Sequence, residues 1–298
     1  MTHQQAIVSI VIPCYNHGEY LQEALDSINI DNINYPVEII IVDDGSSDHA
    51  TIQKLESLKQ LNYTIIHQEN GGPGKARNTG INIAVGKFIL PLDADNKIKP
   101  NYINKAVPIL EKNQADIVYA VPEFFGDTSN KKRQFKVRPF DDLGLVTGNC
   151  ADACAIFRKE VWIKNGGYDE AMPYFGFEDW EFWIRLSARF QFLNSNTITS
   201  TVIQHDQRSV MMPDANRIKL KVDRFVKYVL ADEINKATFG LGLNKAKASA
   251  LTYAALHLAM AKAGKRVIIH YLWSGISIHL GEMFKKRFLV IVKELIKV

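Results

Sequence analysis

Short apolar runs rich in β-branched residues alternate with helical segments through the first third of the chain. The runs are AIVSIVIP, VEIIIVDD, YTIIHQ and KFILPLD, and the first three lead into segments with helical character. This alternation predicts a βαβ series that builds a largely parallel sheet, and therefore an α/β fold. Ligands of such sheets bind in the crevice at the carboxyl ends of the strands.

Polar and conformationally special residues gather at these predicted strand ends. They are Pro13, Tyr15 and Asn16 after the first strand, Asp43, Asp44 and Gly45 after the second, and Asp93 and Asp95 after the fourth. Because the carboxyl ends of parallel strands share one edge of the sheet, we expect these side chains to face one crevice.

Asp93 and Asp95 stand two residues apart at the end of the apolar run FILPLD. In an extended strand such residues point the same way, so the two carboxylates are predicted to converge. Oxygen ligands suit Mg²⁺ or Mn²⁺ that also binds substrate phosphate, which predicts a cation holding a nucleotide diphosphate. On its own, an Asp-X-Asp triplet is also typical of a solvated turn or a helix cap.

Beyond residue 214 the pattern is almost entirely helical. We therefore predict two parts, a catalytic α/β domain over 1–214 and a helical C-terminal extension over 215–298. The extension has 16 Lys and Arg against 5 Asp and Glu, which gives it a charge of +11, whereas the remainder carries −7. A cationic helical surface is most often solvated, but it also suits a membrane leaflet or an anionic acceptor.

The chain has no apolar run near the roughly 18 to 20 residues that span a bilayer. Its first residues lack the basic region of a signal peptide, so we expect a cytoplasmic location. Three cysteines, Cys14, Cys150 and Cys154, are expected to be reduced thiols rather than a disulfide framework or a zinc site.

Five segments follow one another in a specific order: VSIVIPCYNHGEYLQEALDSI, EIIIVDDGSSD, GGPGKARNTGI, ILPLDADN and GFEDWEFWIRL. Together they resemble the family 2 glycosyltransferases of the GT-A fold, a Rossmann-like, mostly parallel mixed sheet flanked by helices. The resemblance covers Val8 to His205. It implies a metal-dependent, inverting glycosyltransferase that moves a sugar from a nucleotide-diphosphate donor, a UDP-sugar by preference, to an acceptor hydroxyl. Surface polysaccharide or glycoconjugate synthesis in a bacterium follows from the family alone.

The resemblance also implies where the nucleotide binds. Pro13, Tyr15 and Asn16 match the part that holds the base and ribose, although ordinary packing also explains Tyr15. Either Asp43 or Asp44 would accept a hydrogen bond from a pyrimidine N3–H, which favours uracil over cytosine, while one of them could instead cap the next helix. Gly74 and Arg77 would lie against the nucleotide, and a surface ion pair is the alternative for Arg77.

The chemistry would fall to the remaining motif residues. By resemblance, Asp95 with Asp93 would bind Mn²⁺ or Mg²⁺, with His205 as a candidate third ligand. Asp179 matches the base that deprotonates the acceptor, and Glu178 would bind or orient that acceptor. An acidic pair that opens a helix also complements the helix dipole. Trp180 is expected in the core rather than as a sugar-stacking platform.

Two other functions stay open at this point. A sugar-phosphate nucleotidyltransferase would keep the fold but release pyrophosphate, and a non-catalytic sugar-nucleotide or glycan-binding module would keep only the binding site. The expected partners of a glycosyltransferase are a nucleotide-sugar donor and an acceptor with a hydroxyl group, either a glycan, a lipid-linked molecule or another compound. We expect no nucleic-acid partner. The segment MFKKRFLVIVKELIKV suits a peripheral membrane helix, a core helix or a homodimer contact.

Overall fold

The computed structural model describes residues 6–61, 63–125, 133–134, 153–170, 178–203 and 215–297. The chain divides into two compact units. Among the described residues, the first unit comprises 6–125, 133–134, 153–170 and 190–203, and the second comprises 178–189 and 215–297.

The first unit is built on a nine-stranded mixed sheet. Its strands are β1 (Val8–Cys14), β2 (Val37–Asp43), β3 (Thr64–His67), β4 (Phe88–Pro91), β5 (Asn96–Ile98), β6 (Ile117–Phe125), β7 (Arg133–Gln134), β8 (Ile156–Arg158) and β9 (Phe192–Ile203). The spatial order is β3-β2-β1-β4-β8-β6-β9-β5, with β7 paired to β6. The half β3-β2-β1-β4 is parallel throughout, whereas β8 pairs antiparallel with β4 and β6. The α/β architecture predicted from the sequence is confirmed.

Helices accompany the sheet within this unit. They are α1 (Gly18–Ile28), α2 (His49–Gln60), α3 (Pro73–Ile83), α4 (Pro100–Glu111) and α5 (Lys159–Asn165). Leu21, Ala24, Leu25 and Ile28 of α1 recur at helical spacing and are buried, as an amphipathic helix against a sheet requires. Proline opens α3 and α4, because its missing N–H is not needed in the first turn.

The register of the parallel strands positions the candidate site. Cys14 at the end of β1 pairs with Asp43 at the end of β2. On the other side of β1, Val11 pairs with Pro91, and the N–H of Leu92 donates to the carbonyl of Val11 at 2.9 Å. The three strands therefore end at the same edge of the sheet, where the sequence predicted a crevice.

The second unit is helical. It contains α6 (Glu178–Ser187), α7 (Ala215–Ala231), α8 (Glu233–Phe239), α9 (Gly242–Met260), α10 (Lys265–Ile278) and α11 (Lys286–Lys297), with a 3₁₀ turn at Leu280–Phe284. Its core is formed by residues of α7, α9, α10 and α11. Among the described residues, none of the helices has the length and hydropathy of a membrane-spanning segment.

The helix α6 belongs to the same compact unit as the C-terminal helices. The predicted boundary after residue 214 would instead assign α6 to the α/β domain. That boundary divides the chain by sequence position, and it stays a prediction. The reason for the difference is packing: the aromatic face of α6 contacts rings on α7 and α9, which are distant in sequence.

Candidate functional site

Asn16 joins the loops that follow β1 and β2. Its side-chain oxygen accepts hydrogen bonds from the N–H groups of Ser47, at 2.8 Å, and Asp48, at 3.2 Å. Its own N–H donates to the hydroxyl of Ser46 at 3.0 Å. Its φ of 54° is in the left-handed region, which asparagine tolerates better than most residues. Asn16 therefore fixes two of the predicted strand ends to each other.

Asp44 holds the loop that leads into α3. It is 2% exposed, and one of its oxygens accepts from Gln68 Nε2 at 2.7 Å and from the N–H of Gly71 at 2.9 Å. Its other oxygen accepts from the N–H of Gly72 at 2.8 Å. Burial raises the pKa of Asp44 above its usual value, although these donors and Lys75 act in the opposite direction. Both of its oxygens are thus engaged in shaping the chain.

Asp43 has a different environment. One oxygen accepts from the N–H of Ser46 at 2.9 Å, and the other lies 3.0 Å from His67 Nδ1. The His67 side chain is 48% exposed, and His67 is the register partner of Asp43 between β2 and β3. His67 is not part of any of the five sequence motifs, but its place at the end of a parallel strand is a signal for a site residue.

Arg77 contacts the Asp93 carboxylate directly. Its guanidinium donates to Asp93 Oδ1 at 2.7 Å, and the Arg77 side chain is 3% exposed. The same guanidinium lies 5.5 Å from the ring centre of Tyr168. Gly74, also buried, stands in the first turn of α3 one turn before Arg77. A buried cation of this kind compensates acidic groups at the strand ends.

Asp93 and Asp95 flank a tight turn at the end of β4. The N–H of Asn96 donates to the carbonyl of Asp93 at 2.9 Å. The Asp93 side chain keeps 30% of its surface exposed, and Asp95 is 9% exposed. The buried side-chain oxygen of Asn96 has no hydrogen-bond partner among the described residues. The turn therefore carries several oxygen atoms suited to a hard cation.

The described part of the chain contains no cluster of three or more His, Cys, Asp or Glu side chains that could hold a metal ion. His205, the predicted third ligand, lies outside the described residues. Mg²⁺ in nucleotide sites is often bound through only one or two carboxylates plus substrate phosphates. The oxygen donors of Asp93 and Asp95 fit such a cation.

The pKa of the Cys14 thiol is affected by the acidic groups at this edge of the sheet. Burial raises the pKa of its thiol to about 12, and the carboxylates of Asp43, Asp48 and Asp95 act in the same direction. Residues after β2 and β4 therefore act electrostatically on the end of β1. Cys14 and Cys154 are free thiols, as predicted, and Cys150 lies outside the described residues.

Glu178 and Asp179 open α6 in the second unit. Glu178 is 5% exposed, and Asp179 is partly exposed and accepts a hydrogen bond from the N–H of Trp180 at 2.8 Å. Trp180 is 2% exposed, which confirms that it belongs to the core. The position of the acidic pair in a first turn is electrostatically favourable because the helix dipole is positive there.

An open cavity of about 480 Å³ adjoins the C-terminal half of α3. It is lined by Asn78, Thr79, Asn82, Trp162, Ile163, Gly166, Gly167 and Glu170. None of the predicted site residues lines it. The Asn78 amide accepts from Trp162 Nε1 at 2.8 Å and donates to the carbonyl of Tyr168 at 2.9 Å, so its role here is to fasten α3 to the chain around α5.

Residues 9–166 match the model of the family described as glycosyl transferase family 2. Glycosyltransferase GlyG of Streptococcus pneumoniae serotype 4 is 36% identical over 114 residues, which are 38% of this chain and 38% of that protein. An uncharacterized glycosyltransferase of Rickettsia felis is 30% identical over 190 residues, which are 60% of this chain and 31% of that protein. The matched segment thus spans between about three and four tenths of the length of these curated relatives.

Solved structures share the fold over nearly the whole chain. A structure of S. aureus TarS in complex with UDP-GlcNAc superposes with a TM-score of 0.57 at 17% identity, covering 93% of each chain. The mannosyltransferase PcManGT of Pyrobaculum calidifontis, in complex with GDP-Man and Mn²⁺, gives a TM-score of 0.54 at 20% identity, covering 99% of this chain and 86% of that one. These likenesses confirm the predicted GT-A fold class.

The contacts of Asp44 predict a structural role. Asp44→Asn replaces one acceptor oxygen by a donor that faces other N–H groups, so we expect the free energy of unfolding to fall by about 1–3 kcal/mol. Asp48→Asn is the matched control, because asparagine caps a helix as well as aspartate does and Asp48 caps α2 through the N–H of Thr51. Denaturant unfolding measures the free energy of unfolding of the two variants. Equal stability of Asp44→Asn and Asp48→Asn would contradict a structural role of Asp44.

Proposed function

The chain belongs to glycosyl transferase family 2, and from this premise we propose that it moves a sugar from a nucleotide-diphosphate donor, a UDP-sugar, to an acceptor hydroxyl. The observation that carries the proposal is the convergence of the ends of β1, β2 and β4, with Arg77 paired to Asp93 there. The complexes of TarS with UDP-GlcNAc and of PcManGT with GDP-Man support a nucleotide-sugar donor.

Asp43 is the better candidate for contact with the base. The oxygens of Asp44 are engaged by the loop before α3, and that residue is almost fully buried. A carboxylate offers about four lone-pair sites, and two protein contacts of Asp43 leave acceptor capacity for one N3–H of uracil. Pro13, Tyr15 and Asn16 would form the neighbouring wall, and Gly74 would let the backbone of α3 approach the diphosphate.

Asp95, supported by Asp93, would hold Mn²⁺ or Mg²⁺ against the donor diphosphate. Arg77 orients Asp93 through its hydrogen bond to Oδ1, while Oδ2 has a long contact of 3.5 Å with Asn96 Nδ2 and keeps acceptor capacity for a cation. When bound, a divalent cation supplies Lewis-acid stabilisation of the departing diphosphate. PcManGT, described with Mn²⁺, supports the choice of metal, and His205 stays a candidate third ligand.

Asp179 would act as the base. The acceptor oxygen forms a bond to the anomeric carbon while the bond from that carbon to the diphosphate oxygen breaks. The acceptor proton moves to Asp179, and the nucleoside diphosphate leaves. One displacement inverts the anomeric centre, so the NMR coupling of the product should show the opposite configuration to that of the donor. Glu178 would bind or orient the acceptor.

The C-terminal helices offer a surface for a contact with an anionic membrane at the cytoplasmic face. Phe284 is 90% exposed, and Leu289 is 68% exposed beside the exposed Lys286 and Lys293 on α11. Apolar side chains next to lysines suit the boundary between acyl chains and anionic head groups. Such a location fits an enzyme of bacterial surface polysaccharide or glycoconjugate synthesis with a lipid-linked acceptor.

Removal of Asp95 tests the metal. Calorimetry of UDP, GDP, CDP and dTDP, each with Mn²⁺ and with EDTA, should show tight and metal-dependent binding of UDP. Asp95→Ala should weaken the Mn²⁺-supported binding of UDP by at least about tenfold. The exposed Asp31→Ala is the control for loss of one negative charge and should bind as the wild type does. Equal binding with Mn²⁺ and EDTA would refute the metal site.

Replacement of the proposed base separates chemistry from binding. Asp179→Asn should keep the affinity for UDP and lower turnover by about 10²- to 10⁴-fold, because amide nitrogen cannot accept the acceptor proton. Asp223→Asn makes the same change at an exposed position of the second unit and should leave turnover unchanged. Normal turnover of Asp179→Asn would exclude this base, and release of pyrophosphate instead of UDP would favour a nucleotidyltransferase.

Flotation with vesicles tests the membrane contact. The protein should float with vesicles rich in phosphatidylglycerol and not with phosphatidylcholine alone. The double variant K286E/K293E should reduce this binding by about tenfold or more, at roughly 1 kcal/mol per basic residue near the surface. K219E/K236E, which reverses exposed charges elsewhere in the second unit, is the control. A dimer that K286E/K293E dissociates, without flotation of the wild type, would assign the surface to a second copy.

A further inference from the structure

Trp180, on the first turn of α6, contacts two rings from other helices. We call Trp180, Phe225 and Tyr253 the ring stack. Trp180 stacks on Phe225 of α7 with ring centres 4.5 Å apart and an interplanar angle of 27°. Tyr253 of α9 meets Trp180 edge-on, with 6.2 Å between ring centres and an angle of 73°. Offset stacking and edge-on contacts are the favourable arrangements of aromatic rings, and they fix the direction of each ring.

Arg287 of α11 lies against the ring of Tyr253. Its guanidinium carbon lies 4.1 Å from the centre of the Tyr253 ring, which is a close cation–π contact. The guanidinium donates to Thr252 Oγ1 at 2.8 Å and to Ser249 Oγ at 2.6 Å. A planar, multiply hydrogen-bonded guanidinium has one orientation, so Arg287 presents a fixed face to the Tyr253 ring.

Glu282 anchors Arg287 from the 3₁₀ turn. Its carboxylate pairs with Arg287 and accepts from the Thr252 hydroxyl at 2.7 Å, and Lys285 lies 2.6 Å from its other oxygen. Glu282 is 1% exposed. Burial acts to raise its pKa, but the contacts with Lys285, Thr252 and Arg287 outweigh it, so its pKa lies below the usual value. The carboxylate is therefore ionised at neutral pH and holds the guanidinium in place.

We propose that the ring stack and Arg287 position Asp179, so that the C-terminal helices belong to the catalytic apparatus rather than serving only as an appendage. Trp180 follows Asp179 directly and donates its N–H to the Asp179 carboxylate, so the ring and the carboxylate are coupled through one residue of backbone. Trp180, Tyr253 and Arg287 are positioning residues. This inference rests on the proposed function, in which Asp179 is the base.

The first test replaces one ring of the ring stack by a smaller apolar side chain. Tyr253→Leu should lower kcat by about tenfold or more, since a misplacement near 1 Å can cost as much as 10²-fold. The Kd of UDP and the KM of the donor should stay within twofold of wild type. Tyr253→Phe keeps the ring and should retain kcat.

Tyr271→Leu is the matched control. Tyr271 of α10 is a buried tyrosine in the core of the second unit, whereas Tyr253 is half-buried, and among the described residues Tyr271 makes its ring contact with His270 rather than with Trp180. It should lose thermal stability as Tyr253→Leu does and keep kcat. If Tyr253→Leu keeps kcat as Tyr271→Leu does, the inference is overturned.

Arg287→Lys is the second variant, for the case that Tyr253→Leu fails to fold. It keeps a positive partner for Glu282 but not the planar face, so it should show the same loss of kcat. An unchanged kcat of Arg287→Lys overturns the inference.

A double variant separates this inference from the assignment of the base. If the ring stack acts through Asp179, adding Tyr253→Leu to Asp179→Asn should change the residual rate by less than twofold. If Tyr253→Leu lowers the residual rate of Asp179→Asn as much as it lowers the rate of the wild type, Tyr253 acts independently of Asp179. That result would overturn the inference and leave the assignment of Asp179 as the base intact. Normal turnover of Asp179→Asn alone would overturn both.

Discussion

Parallel pairing of β1 with β2 and β4 is the constraint on which the candidate site depends. It brings the acidic ends of β2 and β4 to either side of the end of β1. Their negative charge acts to raise the pKa of the Cys14 thiol. Carboxylates at one edge of a sheet repel one another unless donors compensate their charge. The compensation is specific: backbone N–H groups and Gln68 serve Asp44, His67 serves Asp43, and Arg77 serves Asp93.

The same compensation gives the acidic residues different environments. Asp44 is enclosed and engaged on both oxygens, which suits a structural residue that shapes the loop before α3. The Asp93 side chain keeps 30% of its surface exposed, and Asp95 is 9% exposed in the same oxygen-rich turn, which suits a cation held between protein and phosphate. Asp43 and Asp44, which are adjacent in the chain, likewise differ in environment because their hydrogen-bond partners differ.

The second unit shows how a helix takes its place from contacts that are distant in sequence. The motif around Asp179 identifies an acidic pair at the start of a helix, and the expectation that Trp180 belongs to the core is confirmed. Neither reveals that this tryptophan meets rings some 45 and 73 residues further along the chain. Aromatic packing is decided by which faces of the helices meet, and a local pattern carries no information on that choice.

By itself, the sequence determined the α/β fold, the strand ends that carry polar side chains, the helical C-terminal part and the family. These follow from local periodicity and from ordered motifs, which need no knowledge of contacts. Only the tertiary structure distinguished Asp43 from Asp44, paired Arg77 with Asp93 and added His67. Only it grouped α6 with the C-terminal helices. The physical reason is that hydrogen-bond partners and ring contacts join residues far apart in the chain, and folding alone selects them.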